Sequence, residues 1–215
     1  MIESMGTERG FFITIEGIDG CGKSTQAQRL SALLEETGKG VLRTFEPGGW
    51  RGGALLRELL LSDVSIGTRT ELLLFLADRS GHLESEILPA LARGQQVICE
   101  RYTDSTLAYQ SWGRGLPFQD VDELLKWCRF PPPDLTILLD IDAGTSLTRL
   151  KGRGSPDRIE ADGEAFMARV AEGYRELAKR CPGRIVTVDA LRDVEEVTAQ
   201  IWKCVEMRRG TIGEP

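Results

Sequence analysis

Asparagine is absent from all 215 residues of the chain, and histidine occurs only once, as His82. Without asparagine the chain has no N-glycosylation site. It also lacks the Asn-Lys-x-Asp motif with which many regulatory GTPases recognise guanine. A single imidazole leaves no second histidine for the histidine-rich type of catalytic zinc site. These absences argue against a glycoprotein, a GTPase switch and a zinc enzyme of that type.

Cysteine is sparse, odd in number and never spaced as C-x-x-C, so the sequence predicts neither a disulfide framework nor a zinc ribbon. The five cysteines are Cys21, Cys99, Cys128, Cys181 and Cys204. No apolar run approaches the roughly 20 residues that span a bilayer. Residues 1–6 carry acid where a secretory signal would be basic and then apolar. We therefore expect reduced thiols, a cytoplasmic location and no membrane partner.

Positive charge is in deficit, with 27 Lys and Arg against 33 Asp and Glu and a formal net charge of −6. This balance disfavours binding of nucleic acid by bulk electrostatics, although it permits anionic ligands in a local basic pocket. With 41% hydrophobic residues, the chain is predicted to form a single globular domain over residues 1–215.

Short apolar runs alternate with longer stretches of helical periodicity, which predicts an α/β fold. Five runs suit parallel strands covered by helices on both faces, giving a three-layer architecture. The predicted strands span residues 11–16, 41–45, 96–100, 135–141 and 185–188. The predicted helices span residues 23–37, 53–61, 70–92 with a bend near Pro89, 105–112, 120–128, 145–151, 164–181 and 194–207.

A glycine-rich motif carries the strongest functional signal. It follows the first predicted strand, opens the first predicted helix and matches the P-loop pattern G-x-x-x-x-G-K-[ST]. In such a loop backbone N–H groups surround phosphates, the lysine reaches the β- and γ-phosphates, and the hydroxyl binds Mg²⁺. The predicted nucleotide-binding residues here are Gly17, Ile18, Asp19, Gly20, Cys21, Gly22, Lys23, Ser24 and Thr25. We interpret Cys21 as a small tolerated residue and not as a nucleophile.

A P-loop alone is compatible with ATPases, GTPases and small-molecule kinases, and the length and the missing guanine motif favour the kinases. Phe75 and Arg79 are four residues apart on one predicted helix, so they can stack on and donate to a planar base. Taken alone, an ordinary core Phe and a solvated Arg explain the same pair. Glu100 and Arg101 end the third predicted strand, where they can hold Mg²⁺ and a phosphate or can form a simple salt bridge.

Taken together, the motifs resemble the thymidylate kinase family of P-loop nucleoside-monophosphate kinases, in order and over nearly the whole chain. The matching segments begin with Glu16 and the P-loop and continue with Glu46-Pro47-Gly48-Gly49, residues 74–79, Arg101-Tyr102, Ser105, Ala108-Tyr109-Gln110, residues 133–136 and Asp157-Arg158-Ile159-Glu160. The resemblance implies the P-loop NTPase fold, phosphorylation of dTMP to dTDP with Mg-ATP in dTTP synthesis, and a homodimer.

The resemblance also implies roles for individual residues. Phe75 is expected to stack on thymine, Arg79 to donate to the base, and Arg101 to bind the acceptor phosphate. The other implied acceptor-site residues are Glu46, Arg57, Ser105, Tyr109 and Gln110. Asp19 is expected near the transferred phosphoryl group, and Ser24 and Glu100 near the metal.

A basic lid is expected at about residues 149–160, and Gly20 in the P-loop resembles the bacterial arrangement, in which the catalytic arginine lies in the lid. We expect Arg149 to contact ATP and Arg153, between two glycines, to be catalytic together with Lys23, Arg101 and Asp19. The chain departs from the family pattern at Phe45, Trp50 and Glu100, where Arg, Thr and Asp are usual. Phe45 and Trp50 are expected to affect the phosphate side of the acceptor pocket, and Glu100 the metal contact.

Two alternatives stay open at this point. One is a related P-loop kinase for another nucleotide or nucleoside. The other is a regulatory module that binds a nucleotide without turnover. Lys23, Ser24, Arg101 and the basic lid together argue against the module, because a protein that had lost catalysis would be free to lose some of them.

Overall fold

The computed structural model describes residues 9–151, 158–159 and 162–212. Five strands form one parallel sheet in the order β2-β3-β1-β4-β5. They are β1 (Phe12–Glu16), β2 (Val41–Phe45), β3 (Gln96–Glu100), β4 (Leu135–Asp140) and β5 (Ile185–Asp189). The predicted α/β fold with a five-stranded parallel sheet is confirmed, and each strand end lies within one residue of its predicted position.

The strands in the middle of the sheet are the most apolar. Every residue of β1 is buried, and so are the first five residues of β4, as expected for strands covered on both faces. The register pairs Ile15 of β1 with Glu100 of β3. The carboxyl ends of β1 and β3 are therefore neighbours, which brings the P-loop and Arg101 to the same edge of the sheet.

Helices flank the sheet and connect its strands. They are α1 (Lys23–Glu36), α2 (Gly53–Leu61), α3 (Thr68–His82), α4 (Leu88–Ala92), α5 (Thr103–Thr106), α6 (Phe118–Cys128), α7 (Ala143–Leu150), α8 (Glu164–Arg180) and α9 (Val194–Ile212). Most of these bounds lie within two residues of the predicted ones, but α9 runs five residues past its predicted end. None of the helices in the described part of the chain is long and apolar enough to cross a membrane.

Two predicted helices contain π-helical turns that the sequence did not indicate. The predicted helix over 70–92 is α3, a first π-helical segment (Leu83–Ile87) and α4. The predicted helix over 105–112 is α5 followed by a second π-helical segment (Leu107–Gly113). A π-helical turn changes the direction in which the following side chains point, and such turns often occur at functional sites.

The predicted lid is only partly described. Arg149 lies in α7, and Arg158 and Ile159 are described beyond it. Residues 152–157 and 160–161 lie outside the described residues, and Arg153 is among them.

Candidate active site

The P-loop joins β1 to α1 and folds around the side chain of Lys23. Gly17, Gly20 and Gly22 have φ values of 136°, 75° and 100°, a region that favours glycine. The Lys23 ammonium donates to the carbonyls of Gly17 and Ile18, each at 3.0 Å. The lysine is therefore held across the opening of its own loop, at the amino end of α1, where backbone N–H groups attract phosphate.

Cys21 lies in the P-loop with its thiol buried. Burial raises the pKa of the Cys21 thiol. The sulfur is therefore held protonated, which agrees with the interpretation of Cys21 as a space-filling residue.

The two predicted metal ligands lie side by side. The hydroxyl of Ser24, in the first turn of α1, donates to Oε2 of Glu100 at 2.6 Å. A hydroxyl and a carboxylate are oxygen ligands of the kind that Mg²⁺ prefers. The pair lines an open cavity of about 850 Å³ beside the P-loop, which we call the phosphate cavity. Its other P-loop residues are Asp19, Gly20, Gly22, Lys23 and Thr25.

Arg149 lies against the P-loop without lining the phosphate cavity. Its guanidinium donates to the carbonyl of Gly20 at 3.4 Å and to that of Ala190 at 3.1 Å. These contacts place a cation beside the P-loop, next to the cavity in which phosphates are expected.

Asp19 is a carboxylate of the P-loop that contacts Arg101, Lys23 and Tyr109. Its Oδ1 accepts from Nη2 of Arg101 at 2.6 Å and lies 3.7 Å from the Lys23 ammonium. Its Oδ2 accepts from the hydroxyl of Tyr109 at 3.2 Å. Burial raises the pKa of Asp19, but the charges of Arg101 and Lys23 outweigh it and hold the pKa below its ordinary value. Asp19 is therefore ionised across the working pH range.

Arg101 is held in an unusual backbone conformation at the end of β3. Its φ is 68°, while its N–H still donates to the carbonyl of Ile15 at 3.0 Å, as the continuing strand would. A left-handed conformation at a residue other than glycine costs free energy and is often found at functional sites. The guanidinium lies 4.9 Å from the ring centroid of Tyr109 and donates to the carbonyl of Gly17 at 3.2 Å. The conformation thus directs Arg101 from the sheet edge to the P-loop.

A second cavity, of about 600 Å³, adjoins the first, and we call it the acceptor cavity. All eight residues predicted for the acceptor site line it: Glu46, Arg57, Phe75, Arg79, Arg101, Ser105, Tyr109 and Gln110. Four further lining residues had no role assigned from the sequence: Leu61, Thr106, Pro47 of the Glu-Pro-Gly-Gly segment, and Ile159, which follows Arg158 in the last matching segment. Four residues line both cavities: Asp19, Glu46, Arg57 and Arg101.

Arg79 is 1% exposed, so it is not a solvated helix end. Each of its three guanidinium nitrogens donates to a protein acceptor: Glu46 Oε2 at 2.7 Å, Thr106 Oγ1 at 2.7 Å and the Tyr102 carbonyl at 2.9 Å. The two terminal nitrogens each keep a second N–H. Arg79 therefore holds the cavity wall together and has donors left for a ligand.

The two unusual residues around the Glu-Pro-Gly-Gly loop have different positions. Phe45 lines the phosphate cavity, and its ring centroid lies 5.3 Å from the guanidinium of Arg57. Trp50 lines neither cavity, because its indole N–H donates to Asp78 at 2.9 Å. Phe45 is thus placed where it can affect the phosphate side of the acceptor pocket. Trp50 has no such position, because its side chain packs against Asp78 away from both cavities.

Ser105 is oriented by two buried polar groups, Glu16 and Tyr174, whose contact with it was not predicted. Its hydroxyl donates to Oε2 of Glu16 at 2.6 Å and lies 2.7 Å from the hydroxyl of Tyr174 in α8. Burial raises the pKa of Glu16, and the charge of Asp104 raises it further. A glutamate at the end of a largely apolar strand was the sequence signal for this network.

Comparisons with known proteins identify the family of the chain. The family model described as thymidylate kinase matches residues 15–201. A thymidylate kinase of Alkalilimnicola ehrlichii is 47% identical over 193 residues, covering 88% of this chain and 89% of the relative. One of Nostoc punctiforme is 48% identical over 203 residues, covering 92% of this chain and 96% of the relative.

The fold comparison gives the same result. A crystal structure of a thymidylate kinase from Ehrlichia chaffeensis is 31% identical, with a TM-score of 0.76 over 92% of this chain and 99% of that chain. On the family match, the sequence identities and the shared fold, the chain belongs to the thymidylate kinase family.

Proposed function

We propose that the chain phosphorylates dTMP to dTDP with ATP, in the synthesis of dTTP. The observation that carries the proposal is the pair of adjoining cavities, which share Asp19, Glu46, Arg57 and Arg101. One cavity is built on a P-loop, and the other on an aromatic ring with hydrogen-bonding groups. Two nucleotides bound in them would meet, phosphate to phosphate, at the shared residues.

The phosphate cavity is proposed to hold the phosphates of ATP. Lys23 would exchange its carbonyl partners for phosphate oxygens, and the loop N–H groups would complete the cradle. Arg149, beside Gly20, is proposed to contact ATP from outside this cavity. Thr25, which lines the cavity, is proposed to contact the nucleotide, and the loop glycines would let the backbone approach it.

The acceptor cavity is proposed to hold dTMP. Phe75 would stack on thymine, with Arg79 and Gln110 at the polar edge of the base. Tyr109, whose hydroxyl donates to Asp19, and Ser105 would face the sugar, and Arg57 and Arg101 would bind the 5′-phosphate. Glu46 acts through Arg79, whose guanidinium it fixes at 2.7 Å.

Ser24 and Glu100 are proposed to hold Mg²⁺, Ser24 directly and Glu100 through water. Their oxygen atoms lie 2.6 Å apart, at the side of the phosphate cavity. The ion would neutralise charge on the ATP phosphates during transfer.

Catalysis is proposed to consist of positioning and charge stabilisation, since phosphoryl transfer asks little covalent chemistry of the protein. Lys23 and Arg101 would bind the oxygens on which negative charge develops. Asp19 would hold Arg101 and Lys23 in place between the cavities. Arg153, outside the described residues, stays a proposed catalytic residue of the lid.

The test is a panel of acceptors assayed by coupled ADP release with Mg-ATP. We expect kcat/KM to be highest for dTMP among dTMP, dUMP, dCMP, dGMP and CMP. A clearly better acceptor than dTMP would assign the chain to another nucleotide. Tight ATP binding without any dTDP formation would instead identify a regulatory module.

We propose further that residues 1–215 form one kinase domain. We also propose that this domain forms a homodimer through exposed apolar side chains. Leu55 on α2 is 76% exposed and Leu73 on α3 is 57% exposed, whereas Leu60, Leu72 and Leu76 are buried. Sedimentation of the wild type and of Leu55→Glu tests the dimer. A cytoplasmic location is consistent with the five free cysteines.

A further inference from the structure

Glu71 is a buried carboxylate in the first turn of α3, one turn before Phe75, and it joins several elements around the acceptor cavity. It is 1% exposed. Its Oε1 accepts from Gln110 at 3.1 Å and from Nε of Arg114 at 2.9 Å. Its Oε2 accepts from Arg158 at 2.6 Å and from Nη2 of Arg114 at 3.1 Å. Two arginines therefore neutralise this carboxylate, which also holds one amide.

The charge of Glu71 determines which way the Gln110 amide faces. Burial raises the pKa of Glu71, but its hydrogen bonds from Arg114 and Arg158 outweigh that effect and lower the pKa. An ionised carboxylate accepts hydrogen bonds and donates none. The amide group of Gln110 that faces it must therefore be the NH₂, and the amide oxygen faces elsewhere.

Gln110 itself lines the acceptor cavity together with Phe75 and Arg79. It lies in the second π-helical segment and is 1% exposed, so its side chain has little freedom. Among the described residues, no donor contacts Oε1 of Gln110, whereas Nε2 is held by Glu71. The cavity wall thus contains an oriented amide whose oxygen is free to accept from a ligand.

We propose that Glu71 is a positioning residue that fixes the Gln110 amide so that its oxygen accepts the ring N–H of the acceptor base. This rests on the proposed function, in which the base of the acceptor binds beside Phe75. Thymine and uracil carry a hydrogen on N3, whereas N3 of cytosine is an acceptor. Cytosine would place a lone pair against the Gln110 oxygen and leave both acceptors unsatisfied. Glu71 therefore selects thymine and uracil over cytosine.

Glu71→Gln tests the proposal, because a glutamine at this position can donate or accept and lets the Gln110 amide turn. We expect the ratio of kcat/KM for dTMP over dCMP to fall about ten-fold, the effect of one misplaced hydrogen bond. The ratio for dTMP over dUMP should stay at the wild-type value, since both bases carry the N3 hydrogen. Titration calorimetry with dTMP and dCMP should show the same change in relative affinity.

Arg114→Gln is the matched control. It removes two hydrogen bonds to Glu71 and the ion pair with Asp162 at 2.6 Å but leaves the Gln110 contact. We expect it to lower stability and to keep the dTMP to dCMP ratio within about two-fold of wild type. An equal fall in this ratio for both variants, or an unchanged ratio in Glu71→Gln, would overturn the proposal.

Gln110→Leu provides a second test should Glu71→Gln fail to fold. Removing the amide should abolish most of the preference for dTMP over dCMP. A wild-type preference in Gln110→Leu would show that the oxygen plays no part, and the proposal would fail. Absence of dTMP turnover in the wild type would be a different outcome, one that contradicts the proposed function itself.

Discussion

At the scale of single residues, Trp50 shows how an unusual side chain is accommodated behind the site. Its indole N–H and the backbone N–H of Gly48 each bind one oxygen of Asp78, at 2.9 and 3.0 Å. Gly81 provides the room, because a Cβ there would lie 2.4 Å from the indole. Trp50 therefore supports the Glu-Pro-Gly-Gly loop that carries Glu46.

Trp50→Phe should lower the free energy of unfolding by about 2 kcal/mol, since it leaves one oxygen of the buried Asp78 without a donor. Burial already raises the pKa of Asp78, and losing the indole N–H raises it further. When a carboxyl has a higher pKa in the folded state than in the unfolded state, stability falls as pH rises between the two values. The loss should therefore be larger at pH 7.5 than at about pH 4, close to the ordinary pKa of the carboxyl, where Asp78 is still largely protonated in the folded state.

Urea denaturation at the two pH values measures this effect. Trp127→Phe is the control, because Trp127 is 80% exposed and its replacement should change little. Unchanged stability in Trp50→Phe combined with a higher KM for dTMP would show that Trp50 acts on the acceptor and not on the fold.

The pairing of Ser24 with Glu100 leads to a prediction about the metal. Removing Mg²⁺ with EDTA should abolish dTDP formation, and adding it back should restore activity. Glu100→Gln should raise the Mg²⁺ concentration for half-maximal rate about ten-fold, because it removes the charge beside the Ser24 hydroxyl. Glu100→Asp keeps the carboxylate and should stay near wild type. If Glu100→Gln has the wild-type Mg²⁺ dependence, Glu100 does not bind the ion.

At the scale of elements, α3 contributes several side chains to the acceptor site because they recur at intervals of four residues. Glu71, Phe75 and Arg79 follow one another at intervals of four residues, so they share a face of the helix. Phe75 and Arg79 line the acceptor cavity, and Glu71 lies next to Gln110. A small rotation of α3 would move all three groups together.

Arg79→Lys should lower the free energy of unfolding by about 3 kcal/mol, because a lysine cannot bind three acceptors in three directions. At least one of Glu46, Thr106 and the Tyr102 carbonyl would remain unpaired in a dry environment. Circular dichroism during urea denaturation measures the loss. Arg175→Lys is the control, since that side chain is 37% exposed in its pair with Asp140. Wild-type stability of Arg79→Lys with weakened dTMP binding would limit Arg79 to a ligand contact.

How far the sequence predicts these elements depends on the kind of interaction. Strand ends and the P-loop were predictable, because apolar runs and glycine positions are local signals. The π-helical segments were not, since the same residues form an α-helix equally well until tertiary packing shifts the register. The roles of Glu71 and Glu16 were also hidden. Their partners lie 39 or more residues away, and a lone acid in an apolar run does not indicate which group it binds.

At the scale of the whole molecule, positively charged side chains are concentrated around the two cavities although the chain as a whole is negatively charged. The chain has a formal net charge of −6, yet Lys23, Arg57, Arg79 and Arg101 all line one or both cavities. The net charge governs solubility, while binding depends on the few cations at the sheet edge. Two anionic nucleotides would repel each other there unless a cation lay between them. Arg101, which lines both cavities, has that position.

Arg101→Lys therefore should lower kcat for dTMP by about 100-fold or more, because it removes the fork that spans the two cavities. A lysine keeps the positive charge but cannot reach Asp19, the Gly17 carbonyl and a phosphate together. Binding of ATP should be nearly unchanged, since Lys23 and the loop backbone stay intact. Steady-state kinetics with calorimetry of ATP binding separates the two effects. Arg29→Lys, in an exposed ion pair with Glu195 at 2.7 Å, is the matched control. A raised KM for dTMP with normal kcat would mean that Arg101 binds the acceptor equally in the ground and transition states.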